Sequence, residues 1–190
     1  MTPEELATLD IMKTLDDSGV PWMLTGSLAT NLYMIPRSTQ DADFVLQADS
    51  AMWSTVLQRL PPSVTLDPQR RFETITATTR YDLSVKGTKF RIELFNLSSD
   101  DHDIERFRRR IAKHVCGRAV AVPTPEDVVV QKVRWSSIGK RRKDIDDAVN
   151  VIAMQYALLD WAYIEQWCTR HDTLELLATL QKEVVDSGLV

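Results

Sequence analysis

Two aspartates one residue apart, Asp41 and Asp43, open the apolar run Asp41-Ala42-Asp43-Phe44-Val45-Leu46. On a strand, side chains alternate between faces, so both carboxylates point the same way. Two anions that close repel each other unless a cation sits between them. Hard oxygen donors of this kind suit Mg²⁺ or Mn²⁺, with Mg²⁺ keeping several waters and sharing its shell with substrate phosphates. The plainer alternative is a polar strand start in which Asp43 caps a turn. A third carboxylate, Glu93, stands within Phe90-Arg91-Ile92-Glu93-Leu94-Phe95. Ile92 and Leu94 point to one face, and Glu93 with Arg91 to the other. On a strand next to the aspartates, Glu93 completes a two-metal site. Its alternative is an ion pair: a two-residue turn at Lys86-Gly87 sets Arg80 opposite Glu93. Gly26-Ser27 lies between an apolar strand and a helical stretch. A helix start offers free N–H groups to phosphate, and the serine adds a hydroxyl donor. As a plain N-cap, Ser27 explains the same residues.

The elements that must position these groups follow from pattern. A stripe of Leu6, Ile11 and Leu15, helped by Leu9 and Met12, predicts a helix over 3–18, stopped at Gly19. Residues 20–25 read as a strand, 28–34 as a short helix with Ser27 as its cap, and 41–47 as a strand. A helix opens at Asp49-Ser50 and runs to about residue 60. Residues 72–85 are rich in Thr, Ile, Tyr and Val, as strands are, and 90–97 is the returning strand. A basic helix follows to about residue 113, then a strand over 118–122. Beyond it the chain reads as all helix. Thr124 caps and Pro125 takes the first helical position, with further helices over 142–154, 160–170 and 172–185. The expected class is α/β (α+β), a small mixed sheet flanked by helices with a C-terminal helical bundle. Residues 1–122 are the expected catalytic core and 123–190 the helical region.

Composition bounds the partners. The 190 residues carry 23 Lys and Arg against 27 Asp and Glu, a net charge of −4. That excludes a chain-wide basic field of the kind nucleic-acid binders use. Arg106, Arg108, Arg109, Arg110, Lys113 and Arg118 form one local cluster, and Lys140, Arg141, Arg142 and Lys143 another. The first reads either as a guide for RNA or as a solvated helix face. His102, His114 and His171 lack metal-site spacing, and Trp135, Trp161 and Trp167 are expected in helix packing. The two cysteines, Cys116 and Cys168, have no C-x-x-C spacing and are expected as inert thiols. No apolar run has the length of a membrane span, and the expected location is the cytoplasm.

The run Leu24-Thr25-Gly26-Ser27-Leu28-Ala29, followed by Arg37-Ser38-Thr39-Gln40-Asp41-Ala42-Asp43, resembles the nucleotidyltransferase superfamily, the polymerase-beta-like fold. The later stretch resembles its branch of AbiEii-type toxin nucleotidyltransferases: Pro125-Glu126-Asp127, then Lys132, then Arg142-Lys143-Asp144-Ile145-Asp146-Asp147. The resemblance spans residues 20–154 by motif order. It implies that Gly26 and Ser27 hold a triphosphate, Asp41 and Asp43 bind the metals, and Glu93 takes the third-acid position. It implies that Lys132 reaches the triphosphate, that Asp144 orients it or a neighbouring base, and that Arg37 supports the site. The third acid of the family is usually Asp, and the extra methylene of Glu93 moves the carboxylate outward. The implied activity is transfer of an NMP from an NTP to a hydroxyl of RNA, protein or a small molecule, with an antitoxin-type partner protein implied by the branch. A second class of function is a silent fold of this type that binds a nucleotide or a protein. A third is a small-molecule resistance transferase.

Overall fold

The structure, a computed structural model, describes residues 1–188. The chain forms two compact units. Residues 1–28 and 38–122 make a sheet unit, and residues 29–37 and 123–190 make a helical unit.

The sheet unit begins with α1 (Pro3–Asp17), closed at its start by a capping box between Thr2 and Glu5. Gly19 takes a positive φ of 65°, which lets the chain turn back into β1 (Trp22–Thr25). A single helical turn, α2 (Gly26–Thr30), follows β1, and then comes β2 (Asp41–Leu46). Asp49 caps α3 (Ser50–Gln58) by accepting from the Met52 N–H. The Thr-rich stretch is not one strand. β3 (Val64–Leu66) and β4 (Arg71–Glu73) precede a turn in which Ala77 has φ 52°, and β5 (Thr78–Val85) follows. β6 (Arg91–Asn96) returns. Next come α4 (Asp101–Arg109) and the hairpin β7 (Ile111–Val115) with β8 (Arg118–Val122). The expected basic helix therefore stops at Arg109, and β7 takes the residues after it.

The strand order is β1-β2-β6-β5-β3, with β4 also on β5. β2 and β6 are parallel and the other pairings antiparallel, so the sheet is mixed, as its sequence pattern predicts. One face carries Leu24, Phe44, Leu46, Leu83, Ile92 and Leu94, all essentially inaccessible. α1 and α3 cover it, with Ile11, Met12 and Leu15 buried from one and Trp53 and Val56 from the other. Leu6, expected in the α1 stripe, is 45% exposed instead. On the opposite face Met23, Val45 and Phe95 cluster with Phe107 of α4 at one end only. Nearer the N-terminal ends of β2 and β6 that face carries charge.

The helical unit contains α5 (Pro125–Gly139), α6 (Arg142–Gln155), α7 (Trp161–Arg170) and α8 (Leu174–Asp186). Thr124 caps α5 through the Asp127 N–H and Pro125 takes its first turn, as the sequence predicts. Val129, Val133, Val151, Ile152, Ile164 and Leu177 are fully buried among these helices. Tyr33 donates to the Pro123 carbonyl at 2.7 Å, and Gln155 donates to the Tyr33 carbonyl, tying residues 29–37 into this unit. No helix among the described residues is long and apolar enough to cross a membrane.

Candidate active site

Pairing register decides which side chains meet. Asp43 is the Cα partner of Thr25 on β1 and of Glu93 on β6, and Glu93 is the partner of Asp82 on β5. Thr25, Asp43, Glu93 and Asp82 thus form one row across four strands, on one face. Asp41 lies two residues before Asp43, on the same face, beside Arg91. The burial pattern of β2 reads half-buried, buried, half-buried over Asp41, Ala42 and Asp43, so both carboxylates face the accessible side. Thr39 donates its hydroxyl to Asp41 Oδ1 at 2.5 Å.

Gly26 explains the Gly-Ser pair. Its φ is +63°, and a Cβ there would sit 2.7 Å from Asp43 Cγ, with Asp43 Oδ2 closer still. Only glycine tolerates both the backbone angle and the approach of the carboxylate. Ser27 is buried inside the one-turn α2, not at the cap of a longer helix. The expected helix over 28–34 ends at Thr30, so a strong helix dipole does not act here.

Glu93 is held by an arginine. Arg80 Nη1 donates to Glu93 Oε2 at 2.8 Å, and Arg80 Nε lies 2.9 Å from Asp82 Oδ1. Arg71 Nε lies 2.9 Å from Asp82 Oδ2. The two-residue turn expected at Lys86-Gly87 is longer, with Val85 bonded to the Phe90 carbonyl at 3.1 Å. The register therefore slides by two, placing Asp82 opposite Glu93 and Arg80 opposite Phe95. A slide of two keeps every side chain on its face, and Arg80 reaches Glu93 diagonally. Burial pushes the Glu93 carboxyl above its ordinary 4.5, opposed by Arg80 and reinforced by Asp82 and Asp41. Asp82 carries the same sequence signal as Glu93, a carboxylate between apolar residues in Tyr81-Asp82-Leu83, and only the register shows that it joins the acid row.

Among the described residues no three His, Cys, Asp or Glu side chains are arranged to hold a metal ion by themselves. The donors suit a different kind of magnesium site, in which one or two carboxylates are completed by phosphate oxygens and water. Asp41 and Asp43, on one face of β2, are the two carboxylates that could supply such a pair. Glu93 could join it only by sharing its carboxylate with Arg80.

The first basic cluster largely dissolves in the structure. Arg106 is buried, with Nη1 donating to the Thr25 hydroxyl at 3.0 Å and Nη2 to Asp103 at 2.9 Å. Arg108 pairs with Glu105, and Arg110 stacks on Phe107 at 4.1 Å. Arg106 thus braces α4 against β1, a role invisible in a basic run.

The remaining expected site residues sit in the helical unit as one ion cluster. Lys132 Nζ is 2.9 Å from Asp144 and 2.8 Å from Asp147. Arg37 grips Asp147 with two bonds of 2.7 and 2.8 Å, and Arg141 Nε donates to Asp144 at 2.7 Å. Burial opposes ionisation of Asp147, yet its bonds to Arg37 and Lys132 outweigh that and hold its carboxyl below the usual 3.8.

The mixed sheet thus bears Asp-x-Asp on one strand, a further acid on the neighbouring parallel strand and Gly-Ser packed against the acids, the arrangement that the motif resemblance implies. Solved structures agree. The chain is similar to the antibiotic-resistance factor ANT(2″)-Ia in complex with adenylyl-2″-tobramycin, at a TM-score of 0.62 and 11% identity, covering 90% of this chain and 98% of that one. The solution structure of ANT(2″)-Ia matches at a TM-score of 0.59 and 10% identity, over 94% and 95% of the two chains. An antigenic nucleotidyltransferase-like protein from Paracoccidioides brasiliensis matches at 0.53 and 18% identity, over 94% and 92%. No protein-family profile matches the chain, and no curated protein matches it by sequence. The chain has the nucleotidyltransferase fold. The resemblance to the AbiEii-type branch is carried by its sequence motifs alone.

Proposed function

We propose that this protein transfers a nucleoside monophosphate from an NTP to a hydroxyl acceptor, at the acid face of its sheet unit. The observation that carries the reading is the packing of the Asp43 carboxylate against Gly26, with Asp41 on the same face and Glu93 in the next strand. The glycine at positive φ leaves room for the Asp43 carboxylate, which sits on the accessible face with Asp41.

In this reading Asp41 and Asp43 would hold magnesium or manganese together with the triphosphate, and Glu93 would be the third acid. The bound ion would supply positive charge to the α-phosphate and to the departing oxygen. Gly26 and Ser27 would bring main-chain and hydroxyl donors to the phosphates. The acceptor hydroxyl would form a bond to the α-phosphorus while the bond to the β-phosphate bridging oxygen breaks, releasing pyrophosphate. Its proton would go to Glu93, which lies on the same face as Asp43 in the next strand. Arg80 would fix the orientation of Glu93 through Oε2. A phosphate role for Lys132 or Arg37 would require each to leave Asp147, and one for Asp144 would require it to leave Lys132.

Incubation with each labelled NTP, Mg²⁺ or Mn²⁺ and cell extract tests the reading. A labelled RNA, protein or small molecule, absent with an Asp41→Asn, Asp43→Asn variant, is the expected result. No label with any NTP and either metal favours a second reading, a nucleotide- or protein-binding module without transfer. The Arg80–Glu93 ion pair, which occupies the third acid, is the observation in its favour. The AbiEii-type resemblance would add an antitoxin-type partner, and co-purification tests that.

A further inference from the structure

A concavity of about 500 Å³ opens beside the acid row, walled in part by Asp41, Glu93, Ser84, Lys89, Phe90 and Arg91. It lies wholly in the sheet unit. A second hollow of about 330 Å³ shares Lys89 and Phe90 and continues past Thr39 toward Thr2 and Glu4. The two cations on this wall differ from six that are fixed elsewhere in the chain. Arg37, Arg71, Arg80, Arg106, Lys132 and Arg141 are each spent on a carboxylate. Lys89 and Arg91 are exposed and form no ion pair among the described residues. Arg91 starts β6 on the face of Glu93, between Asp41 on β2 and Ser84 on β5. The long connection after β5 carries Lys89 to the same hollow.

We infer that this concavity is the acceptor side of the site, and that it takes a small hydroxyl compound bearing its own phosphate group. The inference rests on the nucleotidyl-transfer reading. Arg91 and Lys89 hold the phosphate, with Arg91 offering the forked donor geometry that suits phosphate oxygens. Ser84 adds a hydroxyl, and Phe90 a partly apolar wall. The acceptor's free hydroxyl then lies toward Asp41 and Glu93. It loses its proton to Glu93, bonds to the α-phosphorus of the NTP and expels pyrophosphate, leaving a phosphodiester.

Charge bears on the two other acceptor classes. A polycationic amino sugar would meet Lys89 and Arg91 beside Asp41 and Glu93 on the same wall, so the two cations work against it. An RNA chain needs a basic track for several phosphates, and the run from Arg106 to Arg110 does not extend one, since Arg106 is buried and Arg108 is paired with Glu105. Two cations match one phosphate group.

The test is a titration of the metal-free, ¹⁵N-labelled protein with inorganic phosphate. Amide shifts are expected at residues 84 and 88–91. A Lys89→Ala, Arg91→Ala double variant should weaken phosphate binding by at least about tenfold, the scale of losing charge-assisted hydrogen bonds. Both side chains are exposed, so its melting temperature should match wild type. Glycerol 3-phosphate should displace phosphate and glycerol should not. Calorimetry of ATP with Mg²⁺ on the wild type reads the nucleotide site separately. ATP binding without phosphate shifts at 84 and 88–91, or shifts unchanged in the double variant, overturns the acceptor subsite and leaves the transfer reading standing. Phosphate binding there with no ATP binding overturns the transfer reading, and with it the acceptor role of the hollow. Displacement by single-stranded RNA with a salt dependence of several phosphates, or by a polycationic amino sugar, overturns the small phosphorylated acceptor.

Discussion

The Asp43 carboxylate occupies the space that a side chain at Gly26 would need. Gly26 opens α2 where β1 runs out at Thr25, and Asp43 lies on β2 passing alongside. Their contact turns a short Gly-Ser motif and a separate Asp-x-Asp motif into one piece of geometry.

Gly26→Ala tests that contact. A non-glycine residue at φ +63° costs about 1–3 kcal/mol in backbone strain, and the added methyl group displaces Asp43. Thermal melting should show the loss of stability, and calorimetry the loss of ATP–Mg²⁺ binding. Wild-type affinity in a folded Gly26→Ala protein would remove Asp43 from the metal site.

Glu93 decides between enzyme and silent fold. Glu93→Gln keeps the shape and loses the base, so transfer should fall at least about a hundredfold, the lower end for a general acid–base group. ATP binding should persist. Glu93→Asp should keep part of the activity. A wild-type transfer rate in Glu93→Gln reduces this residue to the partner of Arg80.

The pH profile gives a second measure of the same group. Glu93 must be ionised to accept a proton, and burial raises its pKa above 4.5. The acid limb of kcat/KM should therefore lie above pH 4.5. Arg80 opposes the shift, so Arg80→Met should move the limb to still higher pH. An acid limb that ignores Arg80→Met means another group titrates.

Lys132 should prove a stability residue first. Its ammonium bridges two buried carboxylates, Asp144 and Asp147. Removing one partner of a buried ion pair costs about 3–5 kcal/mol, so Lys132→Met should lower the denaturation midpoint, in contrast to a purely surface phosphate ligand. The Asp147 carboxyl is held below 3.8, so its stabilisation is present above pH 3.8 and is lost as pH falls through the lowered value. In Lys132→Met that acid loss should begin at higher pH. An unchanged acid-unfolding curve would show that Arg37 alone holds Asp147.

What the sequence determined by itself was local and periodic. Alternation placed Asp41 with Asp43, and Glu93 with Arg91, because strand side chains alternate whatever the partner strand. The Thr124-Pro125 start and the Asp49 cap were legible because caps act within one turn. Register was not local. The length of the connection after Val85 set Asp82 opposite Glu93, and only the parallel pairing of β2 with β6 put Glu93 beside Asp43. The fates of the basic residues also waited on the fold. Arg106 and Arg108 stand two apart in one helix, yet Thr25 and Asp103 claim the first, and the second stays near the surface with Glu105. A charge pattern along a chain does not say which charges will be neutralised, because the partners arrive from distant segments. Tertiary packing made that choice here, leaving Lys89 and Arg91 exposed and outside the salt bridges that hold other arginines of the fold, beside the acid face.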